Sequence, residues 1–154
     1  MLSWQSSEEL TLEQLMPLFR ETLAAGRSVK FSPRGTSMLP MLRQGRDSVR
    51  LSPLPEKLKK YDLPLYQRKN GAYVLHRIVK AKDTYTCIGD NQFEFEHGLK
   101  HEQMIGVVTA FYRDKREISV HSFKYWLYCR HWHHTRALRH FYRRCCAWLR
   151  RRFK

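Results

Sequence analysis

Between residues 28 and 112 the chain is punctuated into six short runs rich in Val, Ile, Tyr and Phe, and this constrains the fold more than any other feature. The runs fall at 29–31, 48–51, 63–67, 72–80, 84–88 and 104–112, bounded by Pro, Gly, Asp or Asn. Such segments read as strands, because β-branched and aromatic side chains suit a pleated, half-buried surface. Asn70-Gly71 between two of them is a two-residue hairpin signal. The expected fold class is mainly β: a compact, mostly antiparallel β domain, with 114–120 as a last strand or loop.

On both flanks the apolar period changes to 3.6. Residues 7–25 read as a helix, with Ser7 as N-cap and Glu8 and Glu9 in the first turn, where the dipole favours acids. Leu12, Leu15, Met16, Phe19 and Leu23 share one face. Pro17 either kinks this helix or ends its first turn, and Gly26 is a natural stop. From about Phe123 the pattern is again helical, as one basic amphipathic helix or two broken near Thr135. The expected organisation is an N-terminal helix over 1–27 packed on the core, a β domain over 28–120 and a basic aromatic tail over 121–154.

The formal charge of +15 is concentrated in that tail. Residues 121–154 hold ten Lys and Arg and no acid, whereas residues 1–120 are net +5. Such a tail implies a polyanionic neighbour, either nucleic acid or an anionic membrane. No stretch approaches the roughly 18 apolar residues of a membrane-spanning helix. The N-terminus lacks a basic region followed by an apolar one, so no secretory signal is expected. A cytoplasmic or peripheral membrane location follows. Cys87, Cys129, Cys145 and Cys146 form no CxxC pair, and His131, His133, His134 and His140 lack partnered acids or cysteines. Neither a metal nor another cofactor is expected.

Three segments carry candidate chemistry. Arg34-Gly35-Thr36-Ser37-Met38-Leu39-Pro40 places a serine in a turn after a strand. That geometry exposes a hydroxyl and lets backbone N–H groups converge, as a nucleophile beside an oxyanion hole requires. In Tyr73-Val74-Leu75-His76-Arg77-Ile78-Val79, strand alternation puts His76 on the face opposite Leu75 and Arg77. Histidine titrates near neutral pH and is the usual general base. Gly89-Asp90-Asn91, with Glu94 and Glu96 beyond it, offers carboxylates that could orient an imidazole. Each alone also fits a plain structural role, as a turn or a satisfied strand histidine.

In order and spacing these segments resemble those of type I signal peptidases and the related self-cleaving SOS and phage repressors. The family's boxes appear as Ser37-Met38-Leu39-Pro40, Gly45-Arg46-Asp47-Ser48-Val49, Leu75-His76-Arg77-Ile78-Val79 and Gly89-Asp90-Asn91, covering roughly residues 29–112. The histidine before Arg77 resembles the Ser/His branch of archaeal and endoplasmic-reticulum signal peptidases rather than the Ser/Lys majority. The second box carries one inserted residue. Gly35 stands where signal peptidases often have a serine, which is closer to the repressors.

The resemblance implies the β fold of that family and a serine endopeptidase cleaving an extended peptide, with Ser37 as nucleophile and His76 as base. Either Asp90 or Glu96 would be the acid partner. The Thr36 and Ser37 amides would form the oxyanion hole, and Phe31, Met38 and Pro40 would contact substrate. The peptide or protein substrate would add a strand beside residues 29–32 or the strand around Val74. A leader or signal-type peptide at a membrane surface is the implied setting, although the family's membrane-spanning anchor has no counterpart here. Oligomeric state is left open.

For the tail, a membrane-surface helix using Arg139, Arg143, Arg144, Arg150, Arg151 and Trp148 is one reading. Nucleic-acid binding is another, and packing on the β domain a third. The alternative to an enzyme is a repressor-like binding module that uses the tail for nucleic acid or a partner. The single helix before the β domain gives no helix-turn-helix.

Overall fold

The computed structural model describes residues 11–114 and 116–152, apart from the side chain of Arg150. The expected cap Ser7, with Glu8 and Glu9, lies outside the described residues. Helix α1 (Leu12–Ala24) is capped by Thr11, whose backbone is extended, so the helix starts later than the expected position. The Thr11 hydroxyl accepts from the Gln14 amide at 3.3 Å, and the Gln14 side chain accepts from the Thr11 amide at 2.8 Å. This reciprocal pair satisfies two amides that a helix start leaves unpaired. The helix runs through Pro17 rather than ending there. It closes on Gly26 at φ +74°, with the Arg27 amide bonded to Thr22 O and the Gly26 amide to Leu23 O. That left-handed residue is the reason for a glycine.

Nine strands follow among the described residues: β1 (Val29–Phe31), β2 (Ser48–Ser52), β3 (Pro64–Gln67), β4 (Tyr73–Leu75), β5 (Arg77–Ala81), β6 (Tyr85–Ile88), β7 (Glu96–Leu99), β8 (Met104–Arg113) and β9 (Arg116–Ser119). They form two antiparallel sheets. The larger runs β1-β2-β8-β3-β4, with β9 also paired to β8; the smaller is β5-β6-β7. Long β8 organises the larger sheet. One of its edges pairs with β2, and the other with β3 near Gly106 and with β9 near Phe111.

Two helices end the chain, α2 (Phe123–His134) and α3 (Arg136–Arg152), broken at Thr135. Helices of 13, 12 and 17 residues together match the strands in length, so the fold is mixed α/β rather than mainly β. Among the described residues no helix is long and apolar enough to cross a membrane.

Three expectations change. The run at 72–80 is not one strand: β4 pairs with β3, β5 pairs with β6, and His76 sits between them at the seam of the two sheets. Alternation therefore fails there, and Leu75, His76 and Arg77 are all buried. The Asn70-Gly71 hairpin is real, but its loop spans 68–72 and is closed by the Arg68 amide on Ala72 O, because Gln67 pairs with Tyr73. The tail also divides. Tyr125 and Cys129 of α2 are buried in the main core with Met16, Phe19 and Leu23 of α1 and Val49, Leu51, Leu65 and Phe111 of the large sheet. Apolar burial of this kind is the chief stabilising term, about 1.5–3 kcal/mol per large side chain. α2 is thus part of the domain, while α3 keeps a largely exposed surface.

Candidate active site

Ser37, His76 and Glu96 converge at the seam between the sheets, each from a different kind of element. Ser37 lies in the turn after β1, half-buried, and lines a cleft of about 210 Å³ together with Gly35, Met38, Arg68, Val74 and His76. His76 links β4 to β5, and Glu96 opens β7 opposite Cys87 of β6.

The His76 imidazole is 2% exposed, and its Nδ1 is 2.9 Å from Glu96 Oε1. Arg68 grips the same carboxylate with two bonds, Nε to Oε2 at 2.8 Å and Nη2 to Oε1 at 2.6 Å. Burial alone would raise the Glu96 acid, but Arg68, Tyr66 and His76 together hold it below the ordinary carboxylate value. An ionised carboxylate can only accept, so Nδ1 carries the imidazole proton and Nε2 keeps its lone pair. Burial also lowers the His76 pKa, against the opposing pull of Glu96. The imidazole is therefore neutral at neutral pH. The Tyr66 hydroxyl lies 3.3 Å from the same Nδ1, and burial keeps that phenol protonated.

Gly89 shows where Nε2 points. A Cβ on that glycine would stand 3.1 Å from His76 Nε2 and 2.7 Å from the carbonyl oxygen of Ser37. The base and the nucleophile segment thus meet over a bare backbone. No hydrogen bond joins Ser37 Oγ to Nε2 among the described residues; such contacts commonly tighten only when substrate binds. Asn91 fixes the serine turn, its amide donating to Ser37 O at 2.8 Å and its Nδ2 to Thr36 O at 3.1 Å. Among the described residues neither the Thr36 nor the Ser37 amide donates a hydrogen bond.

Asp90 stands apart from His76. It is 3% exposed and pairs in two bonds with buried Arg77, Nε to Oδ1 and Nη2 to Oδ2, both 2.8 Å. Tyr128 of α2 donates to Asp90 Oδ2 at 3.0 Å, and Trp132 donates to the Asp90 carbonyl at 2.7 Å. Arg77 also reaches the Tyr125 hydroxyl and Cys129 Sγ. Asp90 thus ties α2 to the smaller sheet. Asp47 of the second box is likewise structural in its contacts: it is buried, with the Arg43 amide and the Arg46 guanidinium on its carboxylate.

Of the residues expected to contact substrate, Met38 lines the cleft. Phe31 instead packs its ring 5.4 Å from Phe19 of α1, and Pro40 is exposed and absent from the cleft lining. Of the tail histidines, His133 edges onto both Tyr61 and His134, and His140 stacks on Phe93 at 4.4 Å. Sequence reasoning missed Arg68 and Tyr66, and it placed Gly89 and Asn91 in a box without giving either the role it has here.

Gly89→Ala is expected to cut any activity of this site by at least tenfold and to destabilise the fold by about 1–3 kcal/mol, the usual cost of overpacking. The 2.7 Å approach is to backbone, which cannot swing aside. Thermal melting together with a cleavage assay checks this; unchanged values for both would refute the close approach.

No protein-family model matches the chain, and neither does any curated protein or solved structure.

Proposed function

We propose that the chain is a serine endopeptidase of the signal-peptidase and repressor-peptidase type, with Ser37 as nucleophile, His76 as general base and Glu96 as the acid that orients it. The observation that carries this reading is the hydrogen bond of buried His76 Nδ1 to ionised Glu96, which leaves Nε2 unprotonated on the side of the Ser37 turn. Ser37 Oγ attacks the scissile carbonyl while Nε2 takes its proton. Nε2 then returns that proton to the leaving amine, and water hydrolyses the acyl-enzyme by the reverse relay. The Thr36 and Ser37 amides, which bond to no described residue, are the candidate donors to the oxyanion.

An extended peptide is the natural substrate form. β1 and β4 end the larger sheet, and residues 73–75 of β4 line the cleft, so a peptide can add as a strand beside them. The family-type fold belongs to this proposal and rests on the order of the four sequence boxes. Cleavage of a panel of extended peptides, mapped by mass spectrometry for the parent, Ser37→Ala and His76→Gln, tests the reading. Cleavage that survives either substitution overturns it and leaves the binding-module alternative.

The pH profile supplies an independent check. His76 must be neutral to accept a proton, and burial depresses its pKa below the ordinary value of about 6.5. kcat/KM is therefore expected to be flat at neutral pH and to fall on acidification, with its midpoint below 6.5. An acid limb centred above that value would show that another group is the base.

A further inference from the structure

Helix α3 faces the wrong way for a helix packed on a core. At 100° per residue, Arg136, Arg139, His140 and Arg143 lie on one face, and Leu138, Phe141, Tyr142, Cys145, Trp148 and Leu149 on the opposite one. The domain takes the basic face. His140 stacks on Phe93, the Arg136 guanidinium lies 5.1 Å from the Phe95 ring, and Arg143 Nη2 donates to Asn91 Oδ1 at 2.5 Å. The apolar face is left outward: Leu138, Phe141 and Tyr142 are each more than two-thirds exposed, and Trp148 is 58% exposed. An apolar stripe this continuous on a soluble surface marks an interaction site.

Charge selects the occupant. The stripe is flanked by Arg144 and Arg151 and ends at Arg152, and residues 121–154 contain no acid. A second copy of α3 would set these arginines against one another. A nucleic-acid backbone would satisfy the arginines and leave the leucines and aromatics in water. An anionic bilayer satisfies both, with the stripe sunk into the headgroup boundary and the flanking bases held at the charged surface.

We propose that α3 seats on an anionic lipid surface and that this seating regulates the serine site. The regulatory half rests on the peptidase reading above. The route is short: Arg143 holds Asn91, and Asn91 holds the Thr36 and Ser37 carbonyls. A helix fixed on a bilayer holds Arg143, and with it the serine turn, more firmly than a helix free in solution. Arg143 is a positioning residue in this scheme.

The test uses the full chain with vesicles of phosphatidylcholine alone or mixed with phosphatidylglycerol. Co-sedimentation should show binding to the mixed vesicles at least tenfold tighter than to phosphatidylcholine, and the double variant F141S/W148S should lose it while melting at the parent temperature. Cleavage of a soluble peptide should rise severalfold when mixed vesicles are added. R143A should still sediment with them but lose the rise, a dependence that a purely structural role would not show. No sedimentation with mixed vesicles, or tighter binding to duplex DNA in the same buffer, overturns the proposal. Sedimentation with an unchanged cleavage rate overturns its regulatory half. A parent that cleaves nothing under any condition overturns the peptidase reading and the regulation resting on it, and vesicle binding, read separately, still tests the surface.

Discussion

Replacing Ser37 by alanine is expected to lower peptide cleavage by on the order of 10⁵-fold while shifting stability by no more than about 0.5 kcal/mol. The small stability effect follows from the site. Ser37 is half-buried, and its hydroxyl makes no hydrogen bond among the described residues; the turn is held by its backbone carbonyls on Asn91. The large activity effect follows from nucleophilic catalysis, since among the described residues no other serine or threonine and no cysteine lines the cleft to replace it. His76→Gln should cost nearly as much activity. Nucleophile and base act as a unit, so the double variant should be no worse than the poorer single one. Kinetics of the three variants, with circular dichroism to verify folding, decide the matter. Additive losses would mean that Ser37 and His76 do not serve one chemical step.

How much of this was legible in the sequence depends on how local each cause is. Strand composition and turn residues located most of the sheet segments because pleat propensity acts within a few residues. The break at His76 was not legible, because what splits 72–80 is the pairing of Tyr73–Leu75 with β3 and of Arg77–Ala81 with β6. Strand β7 was missed because Glu96-His97-Gly98-Leu99 has a glycine and little β-branching, and it is recruited by β6 rather than by its own preference. The burial of Asp90 was hidden for the same reason. Gly-Asp-Asn reads as a polar turn, and its partners are Arg77 of β5 and Tyr128 and Trp132 of α2, all distant in sequence. Periodicity placed the helical tail and left one helix or two broken near Thr135 open, and the structure has two. It could not tell that α2 buries Tyr125 and Cys129 while α3 turns its arginine face inward.

Asp90 and Glu96 should separate cleanly by the kind of damage that their loss does. Asp90→Asn is expected to destabilise the protein by about 3–5 kcal/mol, because Arg77, 2% exposed, would keep a buried charge without its counter-charge. Burial works against the Arg77 guanidinium, and Asp90 is the chief group that keeps it charged. The damage should spread to α2, whose Tyr128 and Trp132 anchor on the same residue. Glu96→Gln should do the reverse. Its side chain is 22% exposed and the replacement keeps its shape, so melting should move little. An amide can donate to Nδ1, however, and so favours the tautomer with the proton on Nε2, which cannot accept from serine. A fall in kcat of about 10³–10⁴-fold follows, the size seen when a triad acid becomes its amide. Melting curves and kinetics of both variants are the measurement. A stable but inactive Asp90→Asn, beside an active Glu96→Gln, would move the orienting role to Asp90. It would then require His76 to turn away from the carboxylate that now lies 2.9 Å from its Nδ1.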